Sequence, residues 1–141
     1  MPKIADRVED DEILLRRILD KDEQYKPESQ SIFYGAFKPT SIDDEGISLT
    51  RAKSETHPEF LDDQEFGLQG RNPAGYYIAW FRLTDLVAEN IVVQPSPEPS
   101  DPGHVHLPDL RYDNRRDTSA IELMRKMASL RFKVTGPFKQ P

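Results

Sequence analysis

Two histidines one residue apart are the first residues of this sequence whose spacing points to chemistry. They are His104 and His106, in the stretch "DPGHVHLPDLRYDNRR". In an extended segment such side chains point to the same face, as two imidazoles holding a metal ion or flanking a phosphate would. A divalent metal normally takes three or four protein ligands, and the remaining choices are His57 and carboxylates such as Asp101 and Asp109. No spacing among them matches a metal motif, so the sequence predicts no metal site.

A role for one histidine in proton transfer needs fewer partners. Gly103 would let a ligand approach the backbone beside His104, the acid or base. The candidate catalytic residues are His104, Arg16 and Ser31, with Ser48 as an alternative serine. The candidate residues for binding a phosphate or a charged partner are Arg17, Arg111, Arg115, Arg116, Arg125 and Lys126. This set suits RNA cleavage or a reaction on another phosphorylated substrate. The alternative is a structural histidine pair followed by a solvated, arginine-rich loop.

Several common chemistries are excluded by what the sequence lacks. It contains no cysteine, which excludes disulfides, thiolate nucleophiles and cysteine-ligated zinc. No G-x-S-x-G motif marks a serine nucleophile, and the seven glycines form neither G-x-G-x-x-G nor G-x-x-x-x-G-K. We therefore predict no nucleotide binding by these standard modes and no cofactor.

The charge is unevenly distributed along the chain. The net charge is −6, yet residues 104–141 hold eight basic and four acidic side chains, a net of +4, which leaves −10 on the first 103 residues. This division favours a polar partner surface, with a protein as the predicted partner and nucleic acid, bound through the basic C-terminal helix, as an alternative. An ordinary solvated helix face would explain the same charges.

Length and composition predict a small protein with a modest core. The hydrophobic fraction is 36% and the charged fraction 31%, which indicates long polar connections around the core. The length fits a single domain over residues 1–141, with 1–11 and 137–141 flexible. No apolar run approaches the roughly 20 residues that span a bilayer, and the N-terminus does not have the pattern of a signal peptide. We predict a cytoplasmic protein without a membrane partner.

Short strands mixed with two helices predict an α+β fold: a small mixed or antiparallel sheet, a C-terminal amphipathic helix and long irregular loops. The predicted strands are "EILLRRIL" (12–19, with a helix end as the alternative), an edge or bulged strand in "SIFYGAFKPT" (31–40), a half-buried strand in "ISLTRA" (47–52), a central strand in "GYYIAWF" (75–81), an extended "IVVQ" (91–94) and an edge strand in "FKVTG" (132–136).

The remaining segments are predicted to be helices and loops. Thr84 would cap a short helix in "DLVAEN", and the apolar spacing after Asp117 predicts a helix over about 118–131. The apolar residues in 53–74 show no helical or strand periodicity, which predicts a long loop that contains one helical turn. The proline-rich run "PSPEPSDP" would cross the surface with few backbone donors.

The order of several pieces resembles a widespread group of small uncharacterised bacterial proteins. The matching pieces, which extend over roughly two thirds of the chain, are "LLRRI", "SIFYGAFKPTSIDDEGISL", "GYYIAWF" and "VVQPSPEPSDPGHVHLPDL", ahead of a basic helix. In that group an arginine-bearing strand is followed by a Ser-x-x-F run, a "GxSV"-like strand and a proline-rich approach to a histidine. The corresponding residues here are Arg16, Ser31, Phe37, Gly46, Ser48 and His104. The loop at 53–74 and the additional His106 depart from that pattern.

The resemblance implies an accessory component encoded beside toxin, antitoxin or anti-phage genes, and it implies no particular activity. The first prediction is accordingly a protein-binding accessory subunit of a bacterial defence or toxin-type system. The alternative is a small enzyme that uses His104 and arginines on an RNA or phosphorylated substrate. A nucleic-acid binder acting through the C-terminal helix is the third hypothesis.

Overall fold

The predicted α+β class is confirmed by a computed structural model, which describes residues 11–139. Six strands form an antiparallel sheet in the order β6-β7-β4-β1-β5-β8, and β2 and β3 form a separate two-stranded sheet. The strands are β1 (Ile13–Ile18), β2 (Tyr25–Lys26), β3 (Ser31–Ile32), β4 (Ile47–Arg51), β5 (Tyr76–Arg82), β6 (Gln94–Pro95), β7 (His104–Leu107) and β8 (Lys133–Phe138). The helices are α1 (Asp63–Leu68), α2 (Leu83–Ala88) and α3 (Thr118–Leu130), with short 3-10 turns at Tyr34–Phe37 and Tyr112–Asn114.

The two faces of the large sheet are covered unequally. On one face the main core packs against α3, whose Met124 and Met127 are buried with Leu49 of β4 and Phe81 of β5. On the other face a smaller cluster forms around Leu15, Ile78 and Phe66, the last from α1. Because α1 packs near β1, β5 and β8, the part of this second face that β4 and β7 form is left for polar side chains.

Strand β4 is buried more completely than its alternating pattern predicted. Thr50 and Arg51 are 0% and 1% exposed, because β4 lies inside the sheet between β7 and β1. Arg51 is accommodated by a bidentate ion pair, in which its Nε and Nη2 lie 2.7 and 2.8 Å from the carboxylate oxygens of Glu12. The prediction of a half-buried strand was therefore correct about the strand and wrong about its burial.

The predicted edge strand over 31–40 is wrong for most of its length. Only Ser31 and Ile32 form a strand, and a 3-10 turn follows at Tyr34–Phe37. The chain turns here because Gly35 packs against the backbone of Glu23, where a Cβ would overlap the carbonyl oxygen. The turn directs Phe37 into the main core, edge-on to Phe81.

Three further boundaries differ from the predictions. The helix expected to begin after Thr84 begins at Leu83, so Arg82 is at the N-cap and Thr84 does not cap it. Within the predicted loop 53–74, a capping box between Asp62 and Glu65 starts the six-residue helix α1. The extended segment at 91–94 contributes only Gln94 to β6.

Other elements agree with the predictions. Strands β1 and β5, helix α3 and the edge strand β8 are present, and β5 lies inside the sheet between β1 and β8. Of the two ends predicted to be flexible, residues 1–10 and 140–141 lie outside the described residues, and Pro137 and Phe138 belong to β8.

The proline-rich run forms part of a hairpin rather than a simple surface crossing. Pro95 of β6 pairs with Val105 of β7, and the Ser96 N–H donates to the carbonyl of His104 at 2.9 Å. The chain reverses between Glu98 and Asp101, whose backbones hydrogen-bond to each other. This hairpin fixes the backbone of Ser96 beside His104.

Candidate functional site

A cleft of about 510 Å³ lies where β1 and β4 stop pairing. Strand β1 pairs with β4 through Leu14–Arg51 and Leu15–Thr50, whereas its pairing with β5 continues to Ile18. The residues that follow Leu15 on β1 therefore face β4 without a ladder between the strands. The cleft is lined by Arg16, Arg17, Ile42, Ser48, Phe66, Gln69, Arg71, Glu98, Ser100, Asp101 and His104.

A serine and a histidine meet across β4 and β7. The register places Thr50 opposite His104, and Ser48 is two residues further along the same face of β4. Gly46 allows β4 to begin here, because its φ is +133° and a Cβ would overlap the carbonyl oxygen of Leu107. The Oγ of Ser48 is 2.9 Å from Nε2 of His104.

The backbone of Ser96 sets the tautomer of His104. Its carbonyl oxygen is 2.8 Å from Nδ1 of the imidazole. Since a carbonyl oxygen only accepts hydrogen bonds, Nδ1 carries the proton, and in the neutral ring Nε2 is an acceptor. The Ser48 hydroxyl then donates to Nε2, so the imidazole is oriented to take the proton of this hydroxyl.

Arg16 places a positive charge next to Ser48. Its Nη1 donates to the carbonyl oxygen of Ser48 at 2.8 Å, and its Nε and Nη2 donate to the carbonyl oxygen of Ala36 at 3.2 and 3.0 Å. Burial lowers the pKa of Arg16 to about 10, and the negative charge of Asp43 partly opposes this effect. The side chain is still protonated at neutral pH, and it is held by neutral acceptors.

Arg17 lies against α1 in the same cleft. Its Nε donates to the carbonyl oxygen of Phe66 at 2.8 Å, and its guanidinium carbon is 3.9 Å from the centre of the Phe66 ring. Burial lowers the pKa of Arg17. Among residues 11–139, no carboxylate forms an ion pair with Arg16 or Arg17. Two guanidinium groups therefore line the cleft, and neither is in ion-pair contact with a carboxylate of the described residues.

Asp101 is the most buried acid that lines the cleft. It is 5% exposed and accepts a hydrogen bond from Oγ1 of Thr50 at 2.5 Å. Burial raises the pKa of Asp101, while the Thr50 hydrogen bond and the charges of His104 and Arg17 act in the opposite direction. Burial is the larger effect, so the pKa of Asp101 is raised overall.

A second cleft of about 350 Å³ shares Ser48 and His104 with the first. His106 lines only this second cleft, and its Nε2 lies 2.7 Å from Oε1 of Gln94. The two histidines thus share a face of β7, as the sequence predicted, but they have different partners. Within the described part of the chain, no three His, Cys, Asp or Glu side chains are grouped so as to hold a metal ion.

The predicted site residues are only partly brought together. Arg16, Arg17, Ser48 and His104 line one cleft, whereas Ser31 hydrogen-bonds to Ser29 in the two-stranded sheet and does not line it. The other predicted phosphate or partner residues, Arg111, Arg115, Arg116, Arg125 and Lys126, also lie outside this lining.

Four of these five basic residues have local contacts elsewhere. Arg111 pairs with Asp113 and donates to the carbonyl oxygen of Pro108. The guanidinium carbons of Arg115 and Arg125 lie 3.7 and 5.3 Å from the ring centres of Tyr112 and Tyr34, respectively, and the Nζ of Lys126 is 3.9 Å from a carboxylate oxygen of Glu89. Arg116 is exposed.

Sequence reasoning misses two parts of the site and misreads a third. It presents Asp101 only as a candidate metal ligand, although the position of Asp101 three residues before His104 in a turn is a usable signal. The carbonyl of Ser96 has no side-chain signal, because any residue supplies a carbonyl. Gly103 permits a close approach of the Arg51 backbone, where a Cβ would lie 2.8 Å from the carbonyl oxygen, rather than of a ligand.

Comparisons of the chain with models of protein families, with curated proteins and with solved structures found no match in any of the three. None of the described helices is both long and apolar enough to cross a membrane. The chemistry of the cleft itself is therefore the basis for a function: a hydroxyl, a base oriented towards it, and two cations without carboxylate partners.

Proposed function

We propose that this protein is an enzyme that cleaves a phosphate ester, in RNA or in another phosphorylated substrate, with His104 as the acid–base residue. The observation that carries the proposal is the chain of hydrogen bonds from Ser48 through His104 to the Ser96 carbonyl, in a cleft shared with Arg16 and Arg17. The proposed setting is the cytoplasm, which suits a chain without cysteine.

The two arginines support a phosphorylated substrate in particular. A guanidinium group presents several N–H donors in a plane and suits the oxygens of a phosphate. Arg16 uses its Nε and one N–H of each terminal nitrogen on two carbonyls, which leaves two further N–H groups. Both cations lie in a partly buried place, where their attraction to an anion is screened less than in water. They would bind the phosphate oxygens and stabilise the charge that develops on them.

His104 supports proton transfer rather than simple binding. The Ser96 carbonyl keeps the proton on Nδ1 and therefore leaves Nε2 as the acceptor. As the ester bond breaks, Nε2 would take a proton from the attacking hydroxyl and pass it to the leaving oxygen. General acid–base catalysis of this kind contributes about 10²- to 10⁴-fold to a rate.

The test is hydrolysis of bis-(p-nitrophenyl) phosphate, p-nitrophenyl phosphate and a short single-stranded RNA by the purified chain. We expect cleavage of at least one of them, and a loss of about 10²- to 10⁴-fold in kcat for His104→Ala. The matched control is His106→Ala, which removes the neighbouring imidazole from the same strand and should leave the rate within a few fold.

Both variants are purified in the same way, so that a contaminating phosphatase would give equal rates in both. Equal rates in His104→Ala and His106→Ala, or no cleavage of any of the three substrates, would contradict the proposal. Thermal melting of each variant separates a lost proton-transfer group from a lost fold.

A second candidate function is the predicted accessory subunit of a bacterial defence or toxin system, which binds a protein partner. It is favoured by the aromatic patch of Phe33 and Tyr34 beside helix α3: Tyr34 is 44% exposed, and the guanidinium carbon of Arg125 is 5.3 Å from its ring centre. Tyrosine, arginine and other aromatic residues are enriched at the centres of protein interfaces. A groove of about 610 Å³ adjoins the same two aromatic residues.

Affinity purification of the tagged chain from its host distinguishes the two candidates. A stoichiometric partner that His104→Ala retains and Tyr34→Ala loses would support the interaction role. A partner that both variants retain would not involve this patch.

A further inference from the structure

We infer that Ser48 is the nucleophile of this site and forms a covalent phosphoserine intermediate. The inference rests on the proposed function and narrows its substrate class. An enzyme that supplies its own hydroxyl acts on phosphate esters that have no hydroxyl next to the phosphate, whereas RNA cleavage by proton transfer alone uses the 2′-hydroxyl of the substrate. The substrate class is therefore phosphate esters in general, including those of deoxyribose or simple alcohols.

The hydrogen bonding of Ser48 is that of an activated hydroxyl. Within residues 11–139, its Oγ hydrogen-bonds to Nε2 of His104 alone, at 2.9 Å. Two other serines serve local structure: Ser129 donates to the backbone of its own helix, and Ser54 accepts from the backbone N–H of His57. A serine paired with a base that a third group orients is the arrangement required for nucleophilic catalysis.

The accessibility of Ser48 also fits attack on a substrate. Ser48 is only partly buried and lines both clefts, so this residue lies where the two clefts meet. A phosphate bound by the arginines of the larger cleft could therefore meet the hydroxyl directly.

Arg16 gives this hydroxyl a fixed cation. Its Nη1 is bonded to the carbonyl oxygen of Ser48 itself, so the guanidinium group is anchored to the backbone of the nucleophile. Phosphoryl transfer spreads negative charge over the phosphate oxygens, and a cation already in place costs no reorganisation at the moment of reaction. The anchor is a backbone atom, which Ser48→Ala does not remove.

The reaction balances without a further reactant. In the first step Ser48 Oγ forms a bond to phosphorus, the bond from phosphorus to the leaving oxygen breaks, the Oγ proton moves to Nε2 of His104, and this proton passes to the leaving oxygen. In the second step a water molecule gives a proton to Nε2 and attacks phosphorus. The bond from Oγ to phosphorus then breaks, and the proton returns to Oγ. The net reaction is hydrolysis of the ester.

Asp101 supplies a negative charge that the Ser48–His104 pair and the Ser96 carbonyl lack. A carbonyl orients the imidazole as a carboxylate does in a catalytic triad, but it has no charge to stabilise the imidazolium form. Asp101 lies close enough for its carboxylate and a protonated His104 to attract each other. Its carboxylate does not hydrogen-bond to the His104 ring, and the two residues are joined through the backbone, where the His104 N–H donates to the Asp101 carbonyl oxygen at 3.0 Å. Asp101 is therefore a positioning and electrostatic residue here.

Two measurements on the full chain test the inference. The first is labelling with a fluorophosphonate probe, which forms a bond between serine oxygen and phosphorus as fluoride leaves, followed by peptide mass spectrometry. We expect the label on Ser48, its loss in Ser48→Ala, and at least about 100-fold slower labelling in His104→Ala. The matched control is Ser129→Ala, which should be labelled on Ser48 at the rate of the unmodified chain.

The second measurement compares cleavage of a deoxyribonucleotide ester with the ribonucleotide ester of the same base. Comparable rates on both, with the label on Ser48, support the inference. Cleavage of the ribonucleotide alone, dependent on His104 and without a label, overturns the inference and leaves the proposed function intact. A label on Ser48 without cleavage of either ester supports Ser48 as a nucleophile but contradicts the proposed function, and the absence of both overturns both.

Discussion

The buried and partly buried arginines of this protein are of two kinds. They differ in the group that contacts the positive charge of the guanidinium. Arg51, on β4, is 1% exposed and forms a bidentate ion pair with Glu12, while its guanidinium carbon lies 4.7 Å from the centre of the Phe60 ring. Arg16 and Arg17, on the neighbouring strand β1, are held by the carbonyl oxygens of Ala36, Ser48 and Phe66.

Because of this difference, Arg51 stabilises the fold, whereas Arg16 and Arg17 can bind an external anion. A carboxylate neutralises the buried charge of Arg51, so little is left for an external anion. Carbonyl groups orient Arg16 and Arg17 without neutralising them, so the cost of burying their charge remains until an anion enters the cleft. Burial lowers the pKa of both residues, because the same desolvation cost disfavours the charged form of the side chain.

The largest expected effect comes from breaking the neutralised pair. Glu12→Gln removes the negative charge of the bidentate ion pair from the buried guanidinium of Arg51, and we expect a loss of about 3–5 kcal/mol in the free energy of unfolding. Urea denaturation measures it. The cleft should be unaffected, because none of its lining residues belongs to this pair.

Two further variants test whether the burial of the Glu12–Arg51 ion pair is the reason for this large loss of stability. Asp113→Asn breaks the pair with Arg111, in which the side chains are 41% and 78% exposed, and should cost less than about 1 kcal/mol. The double variant Glu12→Gln/Arg51→Met removes both charges and should recover much of the loss. If Glu12→Gln costs no more than Asp113→Asn, the two arginine environments do not differ as described.

The sequence predicted the fold better than the site, and the reason is the range of the interactions. Strand β5 and helix α3 follow from the residue types within their own segments, "GYYIAWF" and the apolar spacing after Asp117. The site joins residues far apart in the chain: Ser48 is 32 residues from Arg16 and 56 from His104. Their meeting depends on strand order and register, which residue types alone do not determine.

The two candidate serines illustrate this limit. Both Ser31 and Ser48 belong to short extended segments, and the sequence offers no way to rank one above the other. Ser31 enters the separate two-stranded sheet, whereas Ser48 enters β4 opposite β7 and so meets His104. Ser96 was beyond prediction for another reason, since it acts through its backbone carbonyl.

A smaller effect is expected from filling the cleft with an anion. Inorganic phosphate should stabilise the native protein, because it binds the folded state through Arg16 and Arg17. At ten times the dissociation constant the gain is about 1.4 kcal/mol, or about 5 °C in Tm for a chain of this size. Thermal melting in phosphate, compared with chloride at equal ionic strength, measures it.

Arg17→Gln removes one of the two cations and should reduce this rise in Tm by at least half. The matched control is Arg131→Gln, because Arg131 also donates to a carbonyl oxygen, that of Gln30 at 3.1 Å, but does not line the cleft. An equal rise in Arg17→Gln and Arg131→Gln would mean that phosphate binds elsewhere.

The smallest expected effect concerns Asp101, a buried carboxyl of the cleft that could take the role that Glu12 has for Arg51. Burial raises the pKa of Asp101 despite the nearby charges of His104 and Arg17. A carboxyl whose pKa is higher in the folded than in the unfolded chain stabilises the fold when protonated, and this contribution is lost as the pH rises through the folded pKa. Ionised Asp101 is therefore a cost at neutral pH.

Asp101→Asn keeps an oxygen to accept the Thr50 hydrogen bond and removes the ionisation. We expect its Tm to be slightly above that of the unmodified chain at pH 8, and the difference to vanish as the pH falls towards 3.8, the ordinary pKa of an aspartic acid side chain. Thermal melting between pH 8 and pH 4 measures both, with the exposed Asp109→Asn as the control. A lower Tm for Asp101→Asn at pH 8 would mean that the attraction between Asp101 and Arg17 outweighs the cost of burial. In that case Arg17 would already have a partner, and the cleft would resemble the neutralised pair of Glu12 and Arg51 instead of contrasting with it.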